Sequence, residues 1–487
     1  MSATDLMSGS LPDTTPLFVD LDGTLVTGDT LWEGLAALAK TSPPRFMMSV
    51  LALSRGRAAL KSSVADRVTL GASDLRFNDH VLSFVRAQAT KRRVILATAA
   101  DRRIAEAVAA DLGCFVDVIA TSDGKNMKGE AKRFAIEAYL KENDLGPAFD
   151  YIGDSQADRS VWTAARHAYV VGESDEAAQQ IAGDIAIEKV FPDKTAQLRD
   201  IIRAMRPHQW AKNGLIFLPL ALSQQFVLVE KVLASIIAFL CFSLCASATY
   251  FWNDILDIRS DRAHPRKKDR PFASGAISIP HGIGISLALL AISLVTVTTL
   301  LSPWVAALFL GYIVITLTYS VYLKEKLLVD AMTLGVLYGY RIVIGAVATK
   351  IIVSDWLIAF SVFFFFGLAL VKRFSEITSK TPDDSGKIKG RGYYREDRDI
   401  ISMLGVASSL VSVLIMALFV NSPDVTILYS RPQVLWLVSL VMIYWVSRIW
   451  VLAHRGHMPD DPVVFALKDR ISILCGLICV GAVVAAV

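Results

Sequence analysis

Charge of one sign, cysteine and histidine are all scarce in this chain, and each shortage closes off a class of function. Lysine and arginine exceed aspartate and glutamate by only four over 487 residues, so a nucleic-acid partner is not implied. The five cysteines are Cys114, Cys241, Cys245, Cys475 and Cys479, with no CxxC pair and no histidine at ligand spacing. Four of them stand as i,i+4 pairs inside apolar stretches, which points to packing rather than disulfides or zinc. A basic start followed by an apolar leader is also missing: Met1 to Pro16 holds acids and turn formers. The soluble beginning of the chain is therefore expected to stay in the cytoplasm. Apolar residues are not scarce. They make up 53% of the chain and concentrate after about residue 212, whereas the stretch before about 205 reads as a mixed polar domain.

The polar half alternates short apolar runs with helical stretches. Strands are expected at Leu17–Asp20, Val94–Thr98, Val116–Thr121, Asp150–Gly153 and Ala168–Val171, with helices between them at Arg102–Leu112 and Glu130–Leu140. That order predicts an α/β, Rossmann-like parallel sheet covered by helices, with ligands bound beyond the carboxyl ends of the strands. The interval from about 27 to 92 lacks a clear strand and reads as a helical cap inserted after the first strand.

Asp20-Leu21-Asp22-Gly23-Thr24 closes the first strand. A carboxylate there is placed to attack phosphorus, and a second one two residues on can protonate the leaving oxygen. Gly23 and Thr24 allow a sharp turn that aims amides at a phosphoryl group. Thr98 ends the second strand with a hydroxyl donor. Lys128, or less readily Lys132, can neutralise a phosphoaspartate, and Asp154 and Asp158 add carboxylates suited to Mg²⁺. Each of these alone is compatible with an ordinary surface turn; four in this order on strand ends are not.

The apolar half divides into about nine stretches long enough to cross a bilayer, at 212–229, 232–253, 282–301, 303–322, 328–349, 355–374, 400–420, 434–452 and 470–487. Basic residues collect in alternate loops: the 259–270 run, Lys324 and Lys326, the stretch from Lys372 to Arg398, and Arg455 to Arg470. The positive-inside rule puts those loops and the N-terminus in the cytoplasm and, with odd parity, the C-terminus outside.

The first of these loops opens with Asn253-Asp254-Ile255-Leu256-Asp257-Ile258-Arg259-Ser260-Asp261. On a helix, positions 254, 257 and 261 share one face, and clustered carboxylates next to hydrocarbon suit Mg²⁺ bridged to substrate phosphates. The basic run Arg262, Arg266, Lys267, Lys268 and Arg270 follows at once and is placed to grip the same anion. The plain alternative is a solvated acidic turn. Lys212, Arg266, Arg270 and Lys324 are candidates to hold phosphates, with Asn253 alongside the acids that would hold metal. Lys372 and Arg373 belong either to that site or to ordinary interfacial anchoring. Residues 193–205 have the periodicity of an amphipathic helix, resting on the membrane or packed as a linker.

With these motifs in place, the polar half resembles the haloacid-dehalogenase superfamily of phosphatases, in the branch with a helical cap. The resemblance implies Asp20 as nucleophile, Asp22 as acid/base, Thr98 and Lys128 as phosphate holders, and Asp20, Asp22, Asp154 and Asp158 around Mg²⁺. The apolar half resembles the UbiA-type intramembrane prenyltransferases. Here the resemblance rests on Arg206-Pro207-His208-Gln209-Trp210-Ala211-Lys212-Asn213, the 253–261 motif running on to His264-Pro265-Arg266, and Lys324, Asp330 and Arg341. It implies Asp254, Asp257 and Asp261 as metal ligands and Asn213, Asp330 and Arg341 at the substrate. Within that superfamily the motifs look most like the decaprenyl-phosphate 5-phosphoribosyltransferase branch, which implies phosphoribosyl pyrophosphate and a polyprenyl phosphate as substrates at the inner membrane. The expected organisation is a phosphatase domain at 1–190, a juxtamembrane linker at 191–211 and a transmembrane transferase at 212–487. Two other readings use the same residues: an aromatic or other UbiA-type prenyltransferase with an unrelated phosphatase, and a soluble domain that only binds phosphorylated ligands. The intact Asp20/Asp22 pair argues against the last.

Overall fold

Leu17, Phe18 and Val19 are completely buried, and the strand they form (β1, Leu17–Val19) lies at the middle of a six-stranded sheet. The computed structural model describes residues 15–122, 126–193, 196–379, 386–388, 390–459 and 461–487. It separates into two units: residues up to Ala204 together with Phe251–Gly284, and Met205–Tyr250 together with Ile285–Val487. The acidic loop, expected with the transmembrane half, thus groups with the soluble unit.

In the first unit β1 is followed by four helices, α1 (Thr30–Thr41), α2 (Pro43–Leu51), α3 (Arg57–Ala65) and α4 (Asp79–Ala89). Then come β2 (Val94–Asp101), α5 (Arg102–Leu112), β3 (Asp117–Thr121), α6 (Glu130–Glu142) and β4 (Asp150–Gly153). The unit's α/β part ends with α7 (Arg159–Trp162), β5 (His167–Gly172), α8 (Asp175–Ala182) and β6 (Ile187–Pro192). All strand pairs are parallel, in the order β3-β2-β1-β4-β5-β6. The five expected strands are present. β6 was not anticipated, because this edge strand interleaves Glu188 and Lys189 with its apolar residues and lacks a continuous apolar run. The chain leaves β1 toward β2 on one side and β4 on the other, so the crevice at its carboxyl end is where a ligand belongs.

The second unit is helical. Among the described residues, seven helices are long and apolar enough to cross a membrane: Val229–Leu256, Ile279–Leu300, Pro303–Val321, Val329–Thr349, Asp355–Ser379, one ending at Val420, and one ending at His454. An eighth, Arg470–Ala486, has 17 residues. The expected first span takes another form. Pro207–Phe217 is an 11-residue 3₁₀ helix that runs into a five-residue α-helix, Leu218–Leu222. Neither is long enough to count among the candidate membrane spans. Here the backbones pack closely: a Cβ on Gly345 would stand 2.0 Å from the Ile216 carbonyl oxygen, so only glycine fits. Buried hydroxyls tie the helices together, as in Ser293 to the Cys241 carbonyl (2.8 Å) and Trp445 Nε1 to Ser472 (2.9 Å). The five cysteines are free, and Cys241 and Cys245 pack in this unit's core. Between the halves, Leu198–Met205 is helical with Leu198 and Ile202 exposed.

Candidate active sites

The first centre is assembled at the end of β1. The Asp20 amide donates to the Ile152 carbonyl (3.0 Å), which fixes the backbone between β1 and β4. The Asp20 carboxylate then accepts from the Leu21 amide (2.8 Å). Gly23 turns with φ +75°, and a Cβ there would collide with the Asp154 carboxylate at 2.2 Å. Thr24, buried, donates to Asp154 (3.1 Å). One carboxylate oxygen from each of Asp20, Asp154 and Asp158 lies within 4.8 Å of the others.

A lysine balances these acids, and it is not the one favoured from the sequence. Lys132, 2% exposed, places Nζ 2.7 Å from Asp20 and 3.0 Å from Asp158 and donates to the Tyr151 hydroxyl at 2.6 Å. Lys128 is exposed, one residue ahead of the turn at Gly129 (φ +62°). Lys132 lies beyond that turn, on the face of α6 that also buries Ile136 and Leu140. Thr98 is fully buried on β2, where its hydroxyl accepts from the Ala100 amide (3.1 Å). Asp22 stands apart from the three-acid cluster among the described residues. It accepts instead from the Thr30 amide (2.7 Å), the first residue of α1.

The electrostatics divide these acids by role. Burial, with Asp29 nearby, pushes Asp22 up to about 7, so it holds a proton near neutral pH. Burial likewise raises Asp20 and Asp154, with Lys132 working against it. At Asp158 burial is outweighed by Lys132, Tyr151 and Ser155, and its pKa falls below the ordinary carboxylate value. Asp154 accepts a hydroxyl proton from Thr24 but has no ion pair among the described residues. Three oxygen donors, two buried and Asp154 half-buried, with a lysine beside them fit a hard divalent cation such as Mg²⁺.

The acidic loop is less uniform than a single helical face. The helix from Val229 ends at Leu256, a second short one spans Ile258–Arg262, and Asp257 sits between them. Asp254 and Asp261, 3% and 2% exposed, converge on Arg270 Nη1 at 3.1 and 2.6 Å. Asp257 is more exposed and pairs with Lys40 of α1 (2.7 Å). A guanidinium thus marks the point on which two of the three acids converge, and these oxygen donors suit the same hard cation. Arg266 is exposed, and Asn253 is half-buried.

In the helical unit the expected residues fall into two groups. Lys212 forms an ion pair with Asp461 and lies 5.8 Å from the centre of the Tyr338 ring. Asn213 donates to Ser243 (3.0 Å) and accepts from Arg341 Nε (3.0 Å). The Arg341 guanidinium is surrounded by the rings of Phe242, Tyr312 and Tyr338. Lys372 is half-buried and within electrostatic reach of Asp461. The second group is a closed network. Arg373 is fully buried, 2.6 Å from Asp330 and 2.6 Å from Glu376, and donates to Tyr319 (3.0 Å). Tyr393 donates to Asp330, and Arg391 lies 2.9 Å from Glu376. Asp330 and Arg373, expected at the substrate, therefore spend their charges on each other and on neighbouring side chains. Lys324 is half-buried at the loop after the Pro303–Val321 helix. The sequence reading missed Asp461, Tyr338, Glu376 and Tyr393. Asp461 did carry a signal, since it stands before Pro462 and caps the following helix through the Val463 amide (3.1 Å).

The sequence profile of the UbiA prenyltransferase family matches residues 215–469, and that of the haloacid dehalogenase-like hydrolases matches residues 17–161. The y4nM protein of Sinorhizobium fredii is 36% identical over 474 residues, spanning 97% of this chain and 91% of its own. A decaprenyl-phosphate phosphoribosyltransferase of Mycobacterium tuberculosis is 28% identical over 292 residues, covering 59% of this chain and 94% of its own. Among solved structures, a UbiA homolog from Archaeoglobus fulgidus bound to GPP and Mg²⁺ superposes with a TM-score of 0.45 at 15% identity, covering 58% of this chain and 99% of that one. With more than half its length matched to one profile and the N-terminal centre matched to the other, the chain belongs to the UbiA prenyltransferase family and carries a haloacid dehalogenase-like hydrolase domain ahead of its membrane helices.

Proposed function

We propose that this chain transfers 5-phosphoribose from phosphoribosyl pyrophosphate to a polyprenyl phosphate, and that its soluble domain removes the 5-phosphate from the product. The observation that carries the second half is Lys132 buried between Asp20 and Asp158, with Asp154 beside them. Support for the first half is the likeness to decaprenyl-phosphate phosphoribosyltransferases and the acidic loop with its converging basic residue.

In the transfer, an oxygen of the lipid phosphate attacks the ribose anomeric carbon, and the bond from that carbon to pyrophosphate breaks. The lipid phosphate is already ionised, so the protein needs to orient two anions rather than supply a general base. In this reading Asp254, Asp257 and Asp261 would hold Mg²⁺, and Arg266 and Arg270 of the same loop would take phosphate oxygens. In the hydrolysis, the Asp20 carboxylate attacks phosphorus and the ester bond to the sugar oxygen breaks as Asp22 gives that oxygen its proton. Water then releases phosphate and restores Asp20. Asp154 and Asp158, with Asp20, would hold Mg²⁺, which offsets the charge of the phosphoryl group when bound. We place both reactions on the cytoplasmic side of the inner membrane, on the strength of the basic loops.

Purified full-length protein in detergent, given labelled phosphoribosyl pyrophosphate and polyprenyl phosphate, should release polyprenyl-phosphoryl ribose and inorganic phosphate. Asp20→Asn should accumulate the 5-phosphorylated lipid instead, and mass spectrometry of the lipid fraction separates the two. Identical phosphorylated lipid from both proteins defeats the phosphatase assignment, and no labelled lipid at all defeats the transferase assignment.

A further inference from the structure

The basic residues that follow the acidic motif are not all directed at an anion. Arg262 places Nη2 2.7 Å and Nη1 3.2 Å from the two Glu33 oxygens, and both side chains are largely buried. Its remaining donors reach the Ala273 carbonyl (3.1 Å) and the Asp74 carbonyl. Arg259 pairs with Asp74 through Nε (2.8 Å) and reaches the Thr69 carbonyl (3.3 Å). Glu33 lies one turn into α1, and burial raises its pKa against the pull of Arg262. An unpaired carboxylate at that depth would be costly, so the guanidinium holds the helix in place. The same helix begins at Thr30, whose amide holds Asp22 at 2.7 Å, and it approaches its end at Lys40, which pairs with Asp257.

We propose that Arg262 is a positioning residue for the phosphatase centre, acting through Glu33 to fix α1 and thereby the Asp22 carboxyl that α1 holds by its first amide. This rests on the phosphatase reading above. It makes the loop of the transferase part of the machinery of the hydrolase: one strand of sequence, Asp254 to Arg270, supplies acids to one reaction and the anchor of the acid/base residue to the other. The contact has the geometry for that task. A bidentate pair fixes orientation as well as distance, which a single lysine contact does not.

The test uses the leaving group. Asp22 matters most where the departing oxygen needs a proton, as in an alkyl phosphate, and least for p-nitrophenyl phosphate, whose leaving group departs as an anion. In full-length protein in detergent, Arg262→Met should lower kcat/KM for ribose 5-phosphate about tenfold or more and for p-nitrophenyl phosphate less than threefold. Loss by the same factor for both substrates means that Arg262 serves folding alone, and no loss for either means that it serves neither; both outcomes overturn the proposal. Should Arg262→Met fail to fold, Arg262→Lys, which keeps a charge but not the bidentate pair, is read in the same way. A wild type that hydrolyses neither substrate would sink the phosphatase reading instead. Hydrogen exchange then still decides the clamp, because Arg262→Met should speed exchange in Thr30–Thr41 relative to Arg102–Leu112, and equal rates in wild type and variant refute it.

Discussion

Replacing Lys132 by methionine removes the one cation that the described residues place among Asp20, Asp154 and Asp158. Methionine fills much of the lysine's volume, so the change is chiefly one of charge and of three hydrogen bonds. Breaking a buried ion pair by deleting one partner costs about 3–5 kcal/mol, a large share of the roughly 5–15 kcal/mol that holds an ordinary domain together. Part of that cost is recovered by protonation of the stranded carboxylates, which would in turn blunt Asp20 as a nucleophile. Loss of a preorganised charge at the phosphoryl group lowers kcat by about 10²–10³-fold. Lys128→Met is the internal control: the side chain is exposed, so its effect on stability should stay within about 0.5 kcal/mol, with activity near wild type. Phosphomonoesterase kinetics and thermal unfolding of the full-length protein, with and without Mg²⁺, measure both. Added Mg²⁺ should restore more stability to Lys132→Met than to wild type, because it supplies the missing charge. A tolerated Lys132→Met beside an inactive Lys128→Met refutes the reasoning.

The raised Asp22 gives a pH signature: hydrolysis of an alkyl phosphate should decline as pH rises through about 7, and a rate that keeps climbing to pH 9 contradicts its role as acid. The same shift enters stability with a defined sign. The folded-state pKa lies above the unfolded one, so Asp22 favours folding below about pH 4 and loses that contribution as pH passes through 7. In EDTA, Asp22→Asn should thus melt above wild type at pH 8 and level with it at pH 4. The ceiling is roughly 4 kcal/mol, lowered by the carboxylate's partial contact with solvent, and equal melting at both pH values argues against the shift. Asp254→Asn should reduce lipid labelling at least 10²-fold while leaving hydrolysis of added ribose 5-phosphate within twofold, since Asp254 pairs with Arg270 in the acidic loop; full transfer by this variant removes the metal assignment. A topology reporter after Val487 should register the outside and one before Asp13 the cytoplasm. Both on one side would mean that the count of crossing segments is wrong by one.

The strand ends of the soluble domain were legible because two simple signals coincide there: a short apolar run that must be buried, and a polar residue that ends it. Asp20 and Asp154 both stand immediately after such runs, and all five expected strands occur. The choice between Lys128 and Lys132 was harder, yet the information was present. Positions 132, 136 and 140 recur at helical spacing, and Ile136 and Leu140 mark that face as buried. A lysine on an otherwise apolar stripe must meet a partner in the interior, whereas one residue before a glycine turn it need not. The Lys212–Asp461 and Arg262–Glu33 pairs are of another kind. Their members stand more than 200 residues apart, and no local periodicity links residues at that separation.

The acidic loop shows why a pattern of residue types does not fix the use of each residue. Counting along an unbroken helix sets Asp254, Asp257 and Asp261 on one side, and two of them do share a cation. The break at Asp257 turns the third toward Lys40, and the basic run is divided in the same way. Arg270 faces the acids, whereas Arg259 and Arg262 face the cap of the hydrolase domain. Read as sequence, all are simply cations after an acidic motif. Their division follows from what each can reach: Glu33 and Asp74 are carboxylates that folding of the soluble domain would otherwise leave without these partners, and a buried one demands a partner more strongly than a solvated phosphate does. A loop that must satisfy such demands from the soluble domain is constrained at both ends of its chemistry. A substitution at Arg262 or Glu33 is therefore a test of how this loop is held to the hydrolytic centre.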